Sequence, residues 1–153
     1  MVRNSTVSGA MSLVIVLLTT LAVSLVAQEP ANAAGCYRAS CNAQDPQAKG
    51  CDADAYNLQS FWYQGSSPWL QGTLLELRYS PACDAAWVRT TGGDCFGIWR
   101  PCVSALQVQG GDEQWGGPSG GQRWTNMWSF RSYVRGCFKS GTDYHLDGCT
   151  AWR

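Results

Sequence analysis

The sequence predicts an all-β domain, a β-rich sandwich or small barrel with one short helical turn, stapled by disulfides. Three observations predict it. Short β-branched and aromatic runs are broken by Gly, Pro, Ser and Asp, and no apolar repeat of 3.6 residues is sustained beyond two turns. All eight cysteines (Cys36, Cys41, Cys51, Cys83, Cys95, Cys102, Cys137, Cys149) lie after residue 33. The segment Thr73–Tyr79 alternates, with Leu75, Leu77 and Tyr79 on one face and Glu76 and Arg78 on the other, as a strand does with core on one side and water on the other.

Residues Met1–Ala33 divide as a secretory signal does: Arg3 in a short charged start, an apolar run Met11–Ala27, and the small tripeptide Ala31-Asn32-Ala33. The apolar run falls short of the ~20 residues that span a bilayer, and Ser12, Thr19, Thr20 and Ser24 interrupt it. Cleavage after Ala33 is expected, which makes the mature chain, Ala34–Arg153, a single secreted, extracellular domain. Acylation at Cys36 is disfavoured because the apolar run ends well upstream and the other seven cysteines would be an odd set.

Within the mature chain, residues 34–54 form an irregular N-terminal arm carrying Cys36, Cys41, Asp45-Pro46 and Cys51. Strands are expected at Ala55–Tyr63, Thr73–Tyr79, Ala86–Thr91, Val103–Gln109 and Met127–Val134, with a short one around Thr150–Trp152. Ser80-Pro81 supplies a cap and a first-turn proline, which predicts one helical turn through Asp84. In the third strand Trp87 and Arg89 share one side and Val88 and Thr90 the other. Gln109–Gln122 is rich in glycine and reads as a loop.

An even cysteine count in an oxidising compartment predicts four disulfides. Spacing favours only two local pairs, Cys95 with Cys102 and Cys137 with Cys149. Metal binding is not expected, because no C-x-x-C knuckle is present and His145 is the only histidine. No cofactor is expected either.

The formal charge is zero, and it stays zero in the mature chain because Arg3 and Glu29 offset each other. No basic field exists to draw nucleic acid or, after signal cleavage, a membrane. Arg123, Arg131, Arg135 and Lys139 gather towards the C-terminus, and with Asp143 and Asp147 close behind they read as a solvated face.

Catalytic residues are not expected. A serine triad requires a base, and the only candidate, His145, reads as a surface or capping residue. Ser119 belongs to the glycine-rich loop. The pairs Asp52 with Asp54, Asp112 with Glu113, and Asp143 with Asp147 are close in sequence, as aspartates in turns and caps are. With the cysteines paired, no thiol is left as a nucleophile.

The string Glu76-Leu77-Arg78-Tyr79-Ser80-Pro81-Ala82-Cys83-Asp84-Ala85-Ala86-Trp87, with Ser40-Cys41, Asp45-Pro46, Gly50-Cys51 and the closing Gly148-Cys149-Thr150, resembles a family of small secreted cysteine-containing domains of unknown function from actinobacteria and bacilli. The resemblance implies export, disulfides and a β-rich domain, and brings no activity with it. Small secreted actinobacterial proteins of this sort include adaptor subunits of multi-protein toxin particles. The pair Cys95 and Cys102 and the abundance of tryptophan depart from the plainer family pattern.

Eight tryptophans, all in the mature chain, are the compositional pointer to binding. Trp87, inside a regular strand, is expected to pack against the bridges. Trp69 and Trp115 stand in turn-rich surroundings, and Trp124 and Trp128 flank the glycine-rich loop, so these four are the candidate partner-binding residues. The expected function is a non-enzymatic binding module, first a protein-binding or adaptor subunit of an extracellular complex whose partner is another secreted protein. A cell-wall or polysaccharide-binding module using Trp69, Trp115 and Trp124 as platforms is the alternative. A protease inhibitor presenting Arg100 on a Cys95–Cys102 loop is the third.

Overall fold

The strand-forming segments pair into two antiparallel sheets. The structure is a computed structural model, and it describes residues 34–68, 70–92, 102–116, 123–141 and 145–153. Residues 1–33, expected from sequence to be a signal segment, and Trp69, the Cys95–Cys102 pair with Arg100, Ser119 and Asp143 lie outside the described residues or side chains. In chain order the elements are a 3-10 turn (Arg38–Cys41) and strands β1 (Tyr56–Trp62), β2 (Thr73–Ser80), β3 (Ala85–Gly92), β4 (Cys102–Val108), β5 (Glu113–Gly116), β6 (Arg123–Trp124), β7 (Trp128–Ser129), β8 (Val134–Ser140) and β9 (His145–Cys149). The first sheet runs β1-β2-β3, and β6 and β7 both pair with β3; the second runs β5-β4-β8-β9. A bridge between Gly116 and Thr125 joins the two along one side.

The core lies between the sheets. Leu75, Leu77 and Val88 of the first face Leu106, Val108, Val134 and Phe138 of the second, with Tyr63 and Leu70 closing one end. Phe61 and Tyr63 both meet Phe138 edge-on, at 5.6 and 5.7 Å between ring centres, a favourable quadrupole geometry. A Cβ added at Gly136 would stand 2.8 Å from a Val88 methyl and 2.9 Å from a Leu75 methyl, so glycine sets how closely the sheets approach there.

The alternation in β2 and β3 places residues as the sequence predicts, but the second face of β2 is not wet. Glu76 is buried beneath Arg89, which clasps it through two hydrogen bonds of 2.6 and 2.9 Å, while Asn57 donates a third at 2.7 Å. A carboxylate so saturated tolerates removal from water.

Ser80–Asp84 is a tight turn rather than a helical one. The Ser80 hydroxyl accepts from the Cys83 amide at 3.1 Å, as a cap would. Asp84 then takes a left-handed backbone conformation, φ 47°, and the chain reverses directly into β3 instead of winding on. The helical element occurs instead in the arm, at Arg38–Cys41.

The arm lies over the outer face of the first sheet. Cys36–Cys41 closes a loop within it, and Cys51–Cys83 ties it to the β2–β3 turn. These cysteines cluster with Trp87, Ala85 and Met127, so Trp87 packs against the bridges as expected. The four sulfurs lie within 4.8 Å of one another, but each is spent in a disulfide, and Cys36 is thereby bridged to Cys41.

The same turn gathers the polar ties. Asp54 accepts from the Ser80 hydroxyl and the Ala82 amide at 2.5 and 2.8 Å. Asp84 accepts from Arg38 at 2.9 Å, Arg131 at 2.7 Å and the Tyr79 hydroxyl at 3.1 Å. The string that carries the family resemblance is therefore a structural joint between arm and sandwich.

Acid should loosen this joint at Asp84 and the neighbouring sheet face at Glu76. Hydrogen bonding from Arg89 holds Glu76 below the usual carboxylate range against the cost of burial. Burial pushes Asp84 upward, but bonds from Arg38, Tyr79 and Arg131 outweigh it and leave the group lowered. A carboxylate lowered in the folded state contributes stability that is complete above its unfolded value of about 4 and is lost as pH falls through the folded value. The melting temperature should hold from neutral pH to about 5 and drop below about 4. A melting temperature constant down to pH 2 would contradict this role for the two carboxylates.

Candidate functional site: the outer face of the second sheet

Cross-strand neighbours share a face, so the register of the second sheet fixes what it presents outward. Trp115, Ala105, Cys137 and Cys149 form one row, Glu113, Gln107 and Arg135 the next, and Val103, Lys139 and Leu146 a third. The Cys137–Cys149 bridge, predicted from spacing, crosses β8 and β9 on this face. Inward-facing Leu106, Val134 and Phe138 anchor the same strands in the core.

The outward side chains form one network. Lys139 donates to both oxygens of Glu113, at 2.8 and 3.1 Å, and Gln107 donates to Glu113 at 2.8 Å. Arg135 donates in turn to the Gln107 oxygen at 2.9 Å, and the Trp115 indole donates to Glu113 at 2.5 Å. At one end the Lys139 ammonium stands 4.8 Å over the Trp115 ring; at the other the Arg135 guanidinium stands 4.5 Å over Trp152. Both are cation–π distances. Trp115 is 46% exposed, Trp152 40% and Leu146 45%. Between the network and the β4–β5 hairpin a groove of about 370 Å³ is lined by Gln107, Glu113, Trp152 and residues 108–112.

Glu113 is held as an anion on this face. Burial pushes Glu113 upward, yet Lys139, Gln107 and Trp115 hold it below its ordinary value, so at neutral pH it is a committed anion and a poor base. His145 lies at the rim, its Nε2 3.5 Å from Asp147. The Ser140 hydroxyl donates to Asp147. A serine nucleophile needs the histidine between serine and aspartate, and here the aspartate is in the middle.

Of the four tryptophans singled out from sequence, the three described ones do not converge. Trp115 belongs to this face and Trp69 lies outside the described residues. Trp124 is half-buried beside the arm, donating to Asp45 at 2.9 Å, and Trp128 packs against the inner core. Sequence reasoning missed Glu113, Arg135, Lys139 and Trp152. It also read the C-terminal basic residues as a solvated face, whereas Arg123 is buried and Lys139 is only 14% exposed against Glu113.

Two packed antiparallel sheets, a bridged arm and a flat face of indoles and fixed charges define a small disulfide-stapled β domain. The chain belongs to the family described as a protein of unknown function (DUF2690), whose model matches residues 39–126. The match takes in Glu76–Trp87, the arm from Ala39 onward and β1 to β6, and it stops before Gly148-Cys149-Thr150. No curated protein and no solved structure matches the chain.

Proposed function

We propose that the chain is a secreted, non-enzymatic binding module, a protein-binding adaptor subunit of an extracellular complex, whose partner docks on the outer face of the second sheet. The observation that carries this reading is the pair Trp115 and Trp152, exposed at two ends of one charge network and each held under a cation. Tryptophan and arginine are the residues in which interface energy concentrates. A rigid sheet loses little conformational entropy when it is covered, and charges already paired on the surface offer a polar rim that is solvated before docking and satisfied after it. The bridges Cys36–Cys41, Cys51–Cys83 and Cys137–Cys149 are compatible with an extracellular life. Among the described residues no helix is long and apolar enough to cross a membrane.

The test is retention of partners from the spent medium of the producing cells by immobilised oxidised protein, beside insoluble cell wall and chitin. Wild type should retain a discrete protein, and Trp115→Ala with Trp152→Ala should each weaken that retention by about 2 kcal/mol, roughly thirtyfold in affinity, at unchanged melting temperature. Binding to polysaccharide with no protein retained would overturn the reading.

A further inference from the structure

A second recessed site lies on the opposite side of the molecule, where the arm meets the outer face of the first sheet. It encloses about 140 Å³ and is lined by Pro46, Gln47 and Asp52 from the arm and by Arg78, Trp87, Arg89 and Trp124 from the sheet. All of these residues fall within the family match.

The two arginines differ. Arg89 is clasped by Glu76. Arg78 donates to the Ala55 carbonyl at 2.8 Å and the Asn57 side chain at 3.3 Å, and its Nε is buried with no acceptor. Among the described residues no carboxylate forms an ion pair with it. Burial and the positive charge of Arg89 both push Arg78 below its ordinary value, against the weaker pull of Glu76 and Asp52. It is a half-buried cation whose charge is under-compensated, a state that an added anion relieves.

The remaining walls narrow the anion's class. Trp87 and Pro46 are buried and form the floor, and the half-buried Trp124 indole is the apolar surface left open to the face of a ring. Trp124 is pinned by its bond to Asp45 and Trp87 is buried. Asp52 is exposed at the site and accepts hydrogen bonds from hydroxyls, and the Gln47 amide can both donate and accept. The site therefore asks for an acceptor anion and hydroxyl donors on one small ring.

We propose that this pocket binds a sugar acid, its carboxylate on Arg78, its hydroxyls on Asp52 and Gln47 and its ring against Trp124. The site is separate from the protein-docking face and stands or falls independently of it: a chain with both would join a secreted protein to an acidic polysaccharide.

The probe is D-glucuronate, titrated into oxidised mature protein and followed by calorimetry and by the Trp124 indole N–H resonance. D-Glucose, which lacks the carboxylate, and N-acetylglutamate, which lacks the hydroxylated ring, are the comparison arms. Glucuronate should bind and shift Trp124, with both comparators weaker by about tenfold or more. Arg78→Gln should lower affinity at least about tenfold. Asp52→Ala, at an exposed position with no fold to upset, should weaken glucuronate while leaving partner retention by the Trp115 face unchanged. Should Arg78→Gln not fold, Asp52→Ala and the comparators decide the matter. Equal binding of N-acetylglutamate, equal binding of glucose, or no shift of Trp124 at saturating glucuronate would each overturn the proposal.

Discussion

Removing the Cys51–Cys83 bridge by double replacement with alanine is expected to cost about 4 kcal/mol of unfolding free energy. The two cysteines lie 32 residues apart, and the entropy a cross-link takes from the unfolded chain grows with the loop it closes. Cys36–Cys41, separated by only 5 residues, should cost about 2 kcal/mol on the same reasoning. Alanine rather than serine is the informative replacement, since a hydroxyl buried beside Trp87 and Met127 would add a desolvation cost of its own. The bridge is also the covalent tie between arm and sandwich, so its loss should free the arm and expose Trp87. Urea denaturation with near-ultraviolet circular dichroism measures both. A loss under about 1 kcal/mol with the tryptophan signal intact would mean that the hydrogen bonds on Asp54 and Asp84 hold the joint unaided.

Phe138→Ala should cost about as much, near 4 kcal/mol. Phe138 is 1% exposed and packs perpendicular to the rings of Phe61 and Tyr63, so truncation removes transfer energy and leaves a cavity that two rigid rings cannot readily fill. Trp62→Ala, at 56% exposure on β1, should change stability by less than about 0.5 kcal/mol. Comparable losses for the two in denaturant titration would contradict the placement of the core. Because Lys139 follows Phe138 on β8 and points outward, the core variant should also weaken whatever the outer face binds.

The strands whose alternation is written in large side chains were legible. β1, β2, β3 and β4 fall within a residue or two of their expected limits, most plainly β2, where Leu75, Leu77 and Tyr79 mark every second position, while β-branched and aromatic residues mark the others. β8 was missed for a physical reason: its inward positions are Val134, Gly136, Phe138 and Ser140, and a glycine and a serine stand where a reader expects bulk. The glycine is required by the close approach of Val88 and Leu75, which only the packed sheets reveal. Of the expected strand Met127–Val134 only Trp128–Ser129 pairs, with β3, because residues 130–132 turn before regular pairing begins at Val134.

β5 was hidden inside the glycine-rich stretch. Glu113-Gln114-Trp115-Gly116 has too few apolar residues to announce a strand, and it forms one by pairing with β4. That pairing turns Trp115 from a loop residue into part of a face. The site was half legible for a related reason: exposure of Trp115 could be argued from its neighbours, but Lys139, Arg135 and Trp152 come together only through the β4–β8–β9 register. Among the acidic residues assigned from sequence to turns and caps, Asp54 instead accepts across the joint from Ser80 and Ala82, and Glu113 lies on β5 paired with Lys139.

Amide hydrogen exchange of the oxidised protein, free and saturated with the partner it retains, tests the docking face most directly. Added protection should fall on Glu113–Gly116, Val134–Ser140 and His145–Cys149, and leave β1 to β3 unchanged. Protection confined to β1, β2 and the arm would place the partner on the other sheet and contradict the account.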